Sequence, residues 1–243
     1  MRVIPASELI IHADGSIFHL HLKPEQLADR IVLVGDPARV TTVASYFDEQ
    51  ECEVQNREFH TITGSYRGKR ISVVSHGIGP DNIEIVLNEL DALANIDFTT
   101  RTVHPQFRQL TMVRIGTSGG LQPNTPVGTF VATEKSIGFN GVLYFYAQSE
   151  RVRDLALEQA LREQLDWQIE GLSPYVVSSD PALLEQIAEH ERKGKAEHTS
   201  GDAAAGQGMR GWMKVHEDRL FCGKIMVNLL PFPGCDCTWM RPL

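Results

Sequence analysis

The sequence predicts a single α/β domain with a mixed central β-sheet flanked by α-helices. Three observations carry this. The chain has 243 residues, 42% of them hydrophobic, which is enough apolar material for a sizeable core. Short apolar runs alternate with stretches of helical periodicity, the grammar of a largely buried sheet covered by helices. No apolar stretch approaches the roughly 18 residues needed to cross a bilayer, and the opening Met1-Arg2-Val3-Ile4-Pro5 lacks the apolar run of a leader. The expectation is a cytoplasmic protein without membrane or nucleic-acid partners. Its 23 Lys+Arg against 31 Asp+Glu give a net charge of −8, the wrong sign for displacing counterions from a polyanion.

The elements follow in order. Ile31-Val32-Leu33-Val34 reads as a buried strand that stops at Gly35-Asp36-Pro37. A helix then carries Val40, Val43, Ala44 and Phe47 at three- and four-residue spacing. Residues 59–67 and 70–75 read as a hairpin turning at Arg67-Gly68-Lys69. After Gly77-Ile78-Gly79 comes a strong helix, with Asp81 and Glu84 as a capping-box start and Ile83, Val86, Leu87, Leu90 and Ala94 on one face. Strands are expected over Thr111–Ile115, 127–133 and Tyr175–Ser178. Helices are expected over about 150–166 and from Asp180-Pro181 onward.

From about His198 the periodicity collapses, and only Ile225–Leu230 resembles a strand. The domain is therefore drawn as 1–198. Residues 199–243 form an atypical C-terminal segment, read as a shifted reading frame or a replaced terminus. Cys52, Cys222, Cys235 and Cys237 fit neither a paired redox motif nor a zinc motif, and no disulfide framework is expected.

Three segments point to an anion. A buried strand ends at Gly35, where backbone can approach a ligand without a Cβ in the way. Asp36 is a natural N-cap and Pro37 a natural first helical residue, so a helix start faces outward there, with Arg39 one turn in. Taken alone, this could be an ordinary strand–turn–helix. The second segment is Arg114-Ile115-Gly116-Thr117-Ser118-Gly119-Gly120. An arginine in an apolar strand needs a partner; a phosphate held with Thr117 or Ser118 would serve, and so would Asp36 or Glu58 as an ion pair. The third is Asn56-Arg57-Glu58-Phe59, whose arginine alone reads as solvated surface. Ligands of open α/β sheets gather at the carboxyl ends of strands, which favours the anion reading.

Phe18-His19-Leu20, Gly35-Asp36-Pro37-Ala38-Arg39-Val40, Arg57-Glu58-Phe59, Gly77-Ile78-Gly79 and Arg114-Ile115-Gly116-Thr117-Ser118-Gly119 occur in that order. Together they resemble the nucleoside phosphorylase superfamily, most closely its uridine phosphorylases, over about residues 15–190. The resemblance implies phosphorolysis of uridine to free base and ribose 1-phosphate, with inorganic phosphate as co-substrate and no organic cofactor. It assigns phosphate to Gly35, Arg39, Arg57, Arg114 and Thr117, and the ribose 5′-hydroxyl to His19. Arg57 and His19 would come from a neighbouring subunit, in a homodimer or homohexamer with shared sites. Glu58, Ile78 and Asn82 match the positions that hold a monovalent cation, although Pro80-Asp81-Asn82 departs from the usual Gly-Pro-Ser. A purine nucleoside phosphorylase or a nucleotide-hydrolysing relative is the alternative enzyme. A degenerate member that only binds phosphate or nucleoside is the non-catalytic one.

The residue types suit the chemistry. Breaking the glycosidic bond builds positive charge on the ribose, and a phosphate fixed beneath it is nucleophile and stabiliser together. No protein nucleophile is required. Two family elements are missing: a Phe-Tyr followed by Gln-Gly-Arg for the uracil edge, and an Asn-x-Glu-Met-Glu segment for the ribose 2′-hydroxyl. Gln207-Gly208-Met209-Arg210 is the nearest echo of the first.

Overall fold

The structure is a computed structural model that describes residues 2–118, 131–198 and 226–229. It contains two compact units. The first comprises, among the described residues, 2–113 and 145–147; the second comprises 114–118, 131–144, 148–198 and 226–229.

The first unit is built on a mixed sheet. Strand β1 (Arg30–Val34) leads into helix α1 (Pro37–Ala44), followed by β2 (Glu49–Asn56), β3 (Phe59–Tyr66) and β4 (Lys69–Ser75). Helix α2 (Pro80–Asn95) and the short strands β5 (Ile96–Asp97) and β6 (Thr102–Val103) come next, then β7 (Thr111–Ile115), whose last two residues belong to the second unit. The spatial order is β2-β3-β4-β1-β7. β1 pairs parallel with β4, whereas β2–β3 and β3–β4 are antiparallel. The β3–β4 hairpin turns at Arg67 (φ 49°) and Gly68 (φ 71°), as anticipated. Two consecutive left-handed residues match the right-handed twist of the strands they join.

The core lies between this sheet and its helices. Leu27, Ile31, Leu33, Phe59 and Val74 pack with Val86, Leu90 and Leu93 of α2 and with Leu20 and Leu22 of the N-terminal segment. Each such side chain contributes about 1.5–3 kcal/mol on leaving water. Arg101 ties that segment down, donating to the carbonyls of Ile4 (2.8 Å), Pro5 (3.2 Å) and Leu9.

The second unit contains β8 (Val131–Ala132), β9 (Lys135–Gly138), α3 (Leu155–Gln164), β10 (Tyr175–Ser178), α4 (Pro181–His198) and β11 (Met226–Leu229). β10 pairs antiparallel with β9, and β11 parallel with β8. The strand anticipated at 225–230 is thus present over 226–229. Of the anticipated strand 127–133, residues 127–130 lie outside the described residues. An Arg153–Glu158 pair organises the start of α3: Arg153 Nε donates to Glu158 Oε1 at 2.8 Å and Nη2 to Oε2, and the Val176 amide donates to Oε1 at 2.9 Å.

Two expectations are corrected. Asp81 does not cap α2; the N-cap is Gly79, with Pro80 first in the helix, and the Glu84 carboxylate accepts from the Tyr146 hydroxyl instead of closing a capping box. Proline at the first helical position fixes the start one residue earlier than a capping aspartate would. The helix placed at 150–166 is α3 over 155–164, capped by Asp154, whose carboxylate accepts from the Leu157 amide at 3.0 Å. Leu165, expected on its buried face, falls at the C-cap and is 53% exposed.

Candidate functional site

The β1–α1 junction forms as its residue types dictate. The Asp36 carboxylate accepts from the Ala38 amide at 2.9 Å, Pro37 opens the helix, and Gly35 sits between them and the end of β1. Arg39 lies on the first turn of α1, half-buried. The neighbouring strand ends beside it: Val34 pairs with Ser75, and the His76 amide donates to the Val34 carbonyl at 2.9 Å. Gly35 and Gly77 therefore emerge from adjacent parallel strands at their carboxyl ends.

A second group gathers around Phe18. The short turn between β2 and β3 places Arg57 in the left-handed region (φ 55°), with its guanidinium 5.8 Å from the centroid of the Phe18 ring. His19 follows Phe18, and its ring stands edge-on to it at 4.8 Å. Asn56 donates to the His19 carbonyl at 2.8 Å, so the Arg57 turn and the Phe18-His19 segment are joined directly.

Glu89, on α2, fixes the histidine. Its carboxylate accepts from the His19 amide (3.0 Å), the Leu20 amide (2.8 Å) and His19 Nδ1 (2.7 Å). A carboxylate only accepts, so Nδ1 carries the proton and Nε2 is the ring nitrogen left for other contacts. Sequence reasoning missed Glu89. It lies seventy positions from His19, and on α2 it reads as one more polar residue beside an apolar face.

The three positions that the resemblance assigns to a cation fall close together in part. Asn82 Nδ2 donates to Glu58 Oε1 at 3.0 Å. Gly77 lies against both: a Cβ there would come within 2.6 Å of Asn82 Nδ2 and 3.0 Å of Glu58 Cγ, and its φ is +66°. Ile78, next in the chain, is 93% exposed. The remaining oxygens of Glu58 and Asn82 are hard donors of the kind an alkali cation takes. Among the described residues there is no cluster of three His, Cys, Asp or Glu side chains that would hold a transition metal.

Arg114 and Thr117 belong to the second unit. Arg114 is half-buried in β7, and its guanidinium folds over Gly116: a Cβ at Gly116 would meet Arg114 Nη1 at 2.4 Å. Thr117 is exposed just beyond the strand. Gly119, Gly120 and Gln207 to Arg210 lie outside the described residues, as do Cys222, Cys235 and Cys237.

A family model described as the phosphorylase superfamily matches residues 29–222, most of the chain. The chain belongs to the phosphorylase superfamily. Its match extends past residue 198, where the legible motifs stop. The chain is 32% identical over 152 residues to a uridine phosphorylase of Thermococcus kodakarensis, covering 62% of this chain and 50% of that protein. It is 35% identical over 141 residues to a DeoD-type purine nucleoside phosphorylase of Levilactobacillus brevis, covering 54% of each. A solved Trypanosoma brucei nucleoside phosphorylase, described as showing uridine phosphorylase activity, superposes with a TM-score of 0.67 at 27% identity, over 84% of this chain and 66% of that one. The chain thus spans about half the length of the curated relatives it matches. The mixed sheet flanked by helices is the fold anticipated from the motifs. No described helix is long and apolar enough to cross a membrane.

Proposed function

We propose that this chain is a nucleoside phosphorylase that takes uridine and inorganic phosphate to uracil and ribose 1-phosphate. The observation that carries the reading is the β1–α1 junction. Gly35, the Asp36-capped start of α1 and Arg39 stand at the carboxyl end of the parallel β1–β4 pair, where an anion meets the positive end of the helix dipole and a guanidinium. The Arg39 guanidinium neutralises phosphate at this junction, and Arg114 and Thr117 are the further positions that the motif resemblance assigns to phosphate. A phosphate oxygen attacks C1′ as the C–N bond breaks. The bonding pair leaves with the base, which takes a proton, and the anion beneath the ribose offsets the charge that develops there.

His19 and Arg57 serve the site of a neighbouring subunit in this reading. The Phe18 ring and Asn56 hold them together, so they would reach a partner as one rigid pair. His19 presents Nε2 to the ribose 5′-hydroxyl, and Arg57 adds a further guanidinium to phosphate. Glu58 and Asn82 supply oxygens for a monovalent cation, which would brace the turn that carries Arg57. The purine alternative is favoured by the Levilactobacillus relative, and inosine is its test substrate.

The decisive experiment incubates the chain with uridine, with and without phosphate, and measures free uracil. Phosphate-dependent release is expected. Release without phosphate dependence overturns phosphorolysis, and release from inosine alone favours the purine reading. Arg114→Ala should abolish the rise in thermal midpoint that phosphate produces in the parent chain; an unchanged rise removes Arg114 from the site.

A further inference from the structure

His60 belongs to none of the motifs above, yet it is among the most constrained side chains of the first unit. It sits on β3 with its side chain only 7% exposed. Its ring bridges two acceptors: Nδ1 lies 3.2 Å from the carbonyl of Pro37, and Nε2 lies 2.8 Å from Glu53 Oε1 on β2. Each ring nitrogen thus faces an acceptor, a carbonyl at Nδ1 and a carboxylate at Nε2. The His60 main chain is equally fixed: its amide donates to Ser75 Oγ at 2.7 Å, and that hydroxyl donates to the Glu58 carbonyl at 2.7 Å.

These bonds connect the α1 start, which receives phosphate in this reading, with the turn whose Arg57 serves the site of a neighbouring subunit. Pro37 is the first residue of α1, between the Asp36 cap and Arg39, and Glu58 follows Arg57 in the β2–β3 turn. We propose that His60 is a positioning residue for phosphate: through the Pro37 carbonyl it sets where the first turn of α1 stands on the sheet, and so where Arg39 points. Glu53 holds the far side of the ring. This inference rests on the proposed phosphorylase reading, in which the α1 start receives phosphate. A displacement of about 1 Å in such a contact is enough to change rates by orders of magnitude.

Two substitutions separate the ring's two bonds. Asn places an amide nitrogen near the former Nδ1 and keeps the donor to Pro37. Gln places its amide nitrogen near the former Nε2, keeping Glu53 and losing Pro37. His60→Gln should raise the KM for phosphate three- to tenfold, the size of one uncharged hydrogen bond. His60→Asn should leave that KM within about twofold of the parent, a difference below ~0.5 kcal/mol. The KM for uridine should stay unchanged in both. The phosphate-induced rise in thermal midpoint should shrink in His60→Gln and persist in His60→Asn.

A merely structural histidine would lower the midpoint in both variants without separating them on phosphate, and that result overturns the proposal. If neither variant folds, Glu53→Ala tests the same contact from its exposed end: a raised phosphate KM supports the proposal, and an unchanged value overturns it. A parent chain that shows no response to phosphate fails differently. It overturns the phosphorylase reading itself, and the role of His60 with it.

Discussion

His19 Nδ1 lies 2.7 Å from Glu89 Oε1, and the same carboxylate accepts the amides of His19 and Leu20. One side chain from the middle of α2 thereby fixes the backbone, ring orientation and tautomer of a residue in the N-terminal segment. Its side chain is 12% exposed, so little water is available to replace these bonds.

Glu89→Gln puts an amide donor where three N–H groups converge, and leaves at least one of them unpaired. The expected cost is about 1–3 kcal/mol, read as a lower urea midpoint with an unchanged m-value. If His19 serves the ribose as proposed, the KM for uridine should rise more than that for phosphate. Equal changes in both would disconnect Glu89 from the nucleoside side.

Gly77→Ala combines a left-handed backbone with a Cβ 2.6 Å from Asn82 Nδ2. The strain should cost about 1–3 kcal/mol and separate Asn82 from Glu58. If those oxygens hold a monovalent cation, the parent's thermal midpoint should rise on replacing a large organic cation with potassium. The variant should lose that rise, and differential scanning fluorimetry in the two salts reads it directly.

The Arg153–Glu158 pair sets the acid limit of the second unit. Burial pushes the Glu158 carboxyl up, but hydrogen bonds from Arg153 and the Val176 amide outweigh it and hold the group below its ordinary value. A lowered carboxyl contributes stability above its unfolded pKa, about 4.3, and loses it as pH falls through the folded value. Glu158→Gln leaves a largely buried guanidinium without its counter-charge and should cost about 3–5 kcal/mol near neutrality. The gap between parent and variant should narrow below about pH 4, measured by urea unfolding across pH; a constant gap would refute the assignment.

Burial, with a hydrogen bond to Glu84, pushes the Tyr146 phenol up to about 12. A raised phenol stabilises the fold below the unfolded value near 10, and that contribution fades as pH climbs through the folded one. Absorbance at the phenolate band should show a late step that disappears in Tyr146→Phe. A full set of early steps in the parent would contradict the burial of this hydroxyl.

How much was legible follows from the range of each interaction. β1, the hairpin, α2 and β10 were readable because burial on one face repeats at a fixed period, and turn chemistry marks the ends. β2 was missed for the opposite reason. Its sequence, Glu49-Gln50-Glu51-Cys52-Glu53-Val54-Gln55-Asn56, is polar and largely exposed, and it is a strand because it pairs along β3 at the sheet edge. Nothing local specifies that. The Gly35-Asp36-Pro37 junction was legible because the strand end, the cap and the proline are consecutive in the chain.

By itself the sequence determined the family, the elements with strong periodicity and the capped strand–turn–helix junction at α1, all of which rest on residues that are near neighbours in the chain. Only the tertiary structure brought Glu89 to His19, His60 to Pro37 and Glu53, and Asn82 to Glu58. Each of these joins separate elements through hydrogen bonds a few ångströms long. Such bonds depend on which elements the core packs side by side, and no spacing in the sequence encodes them.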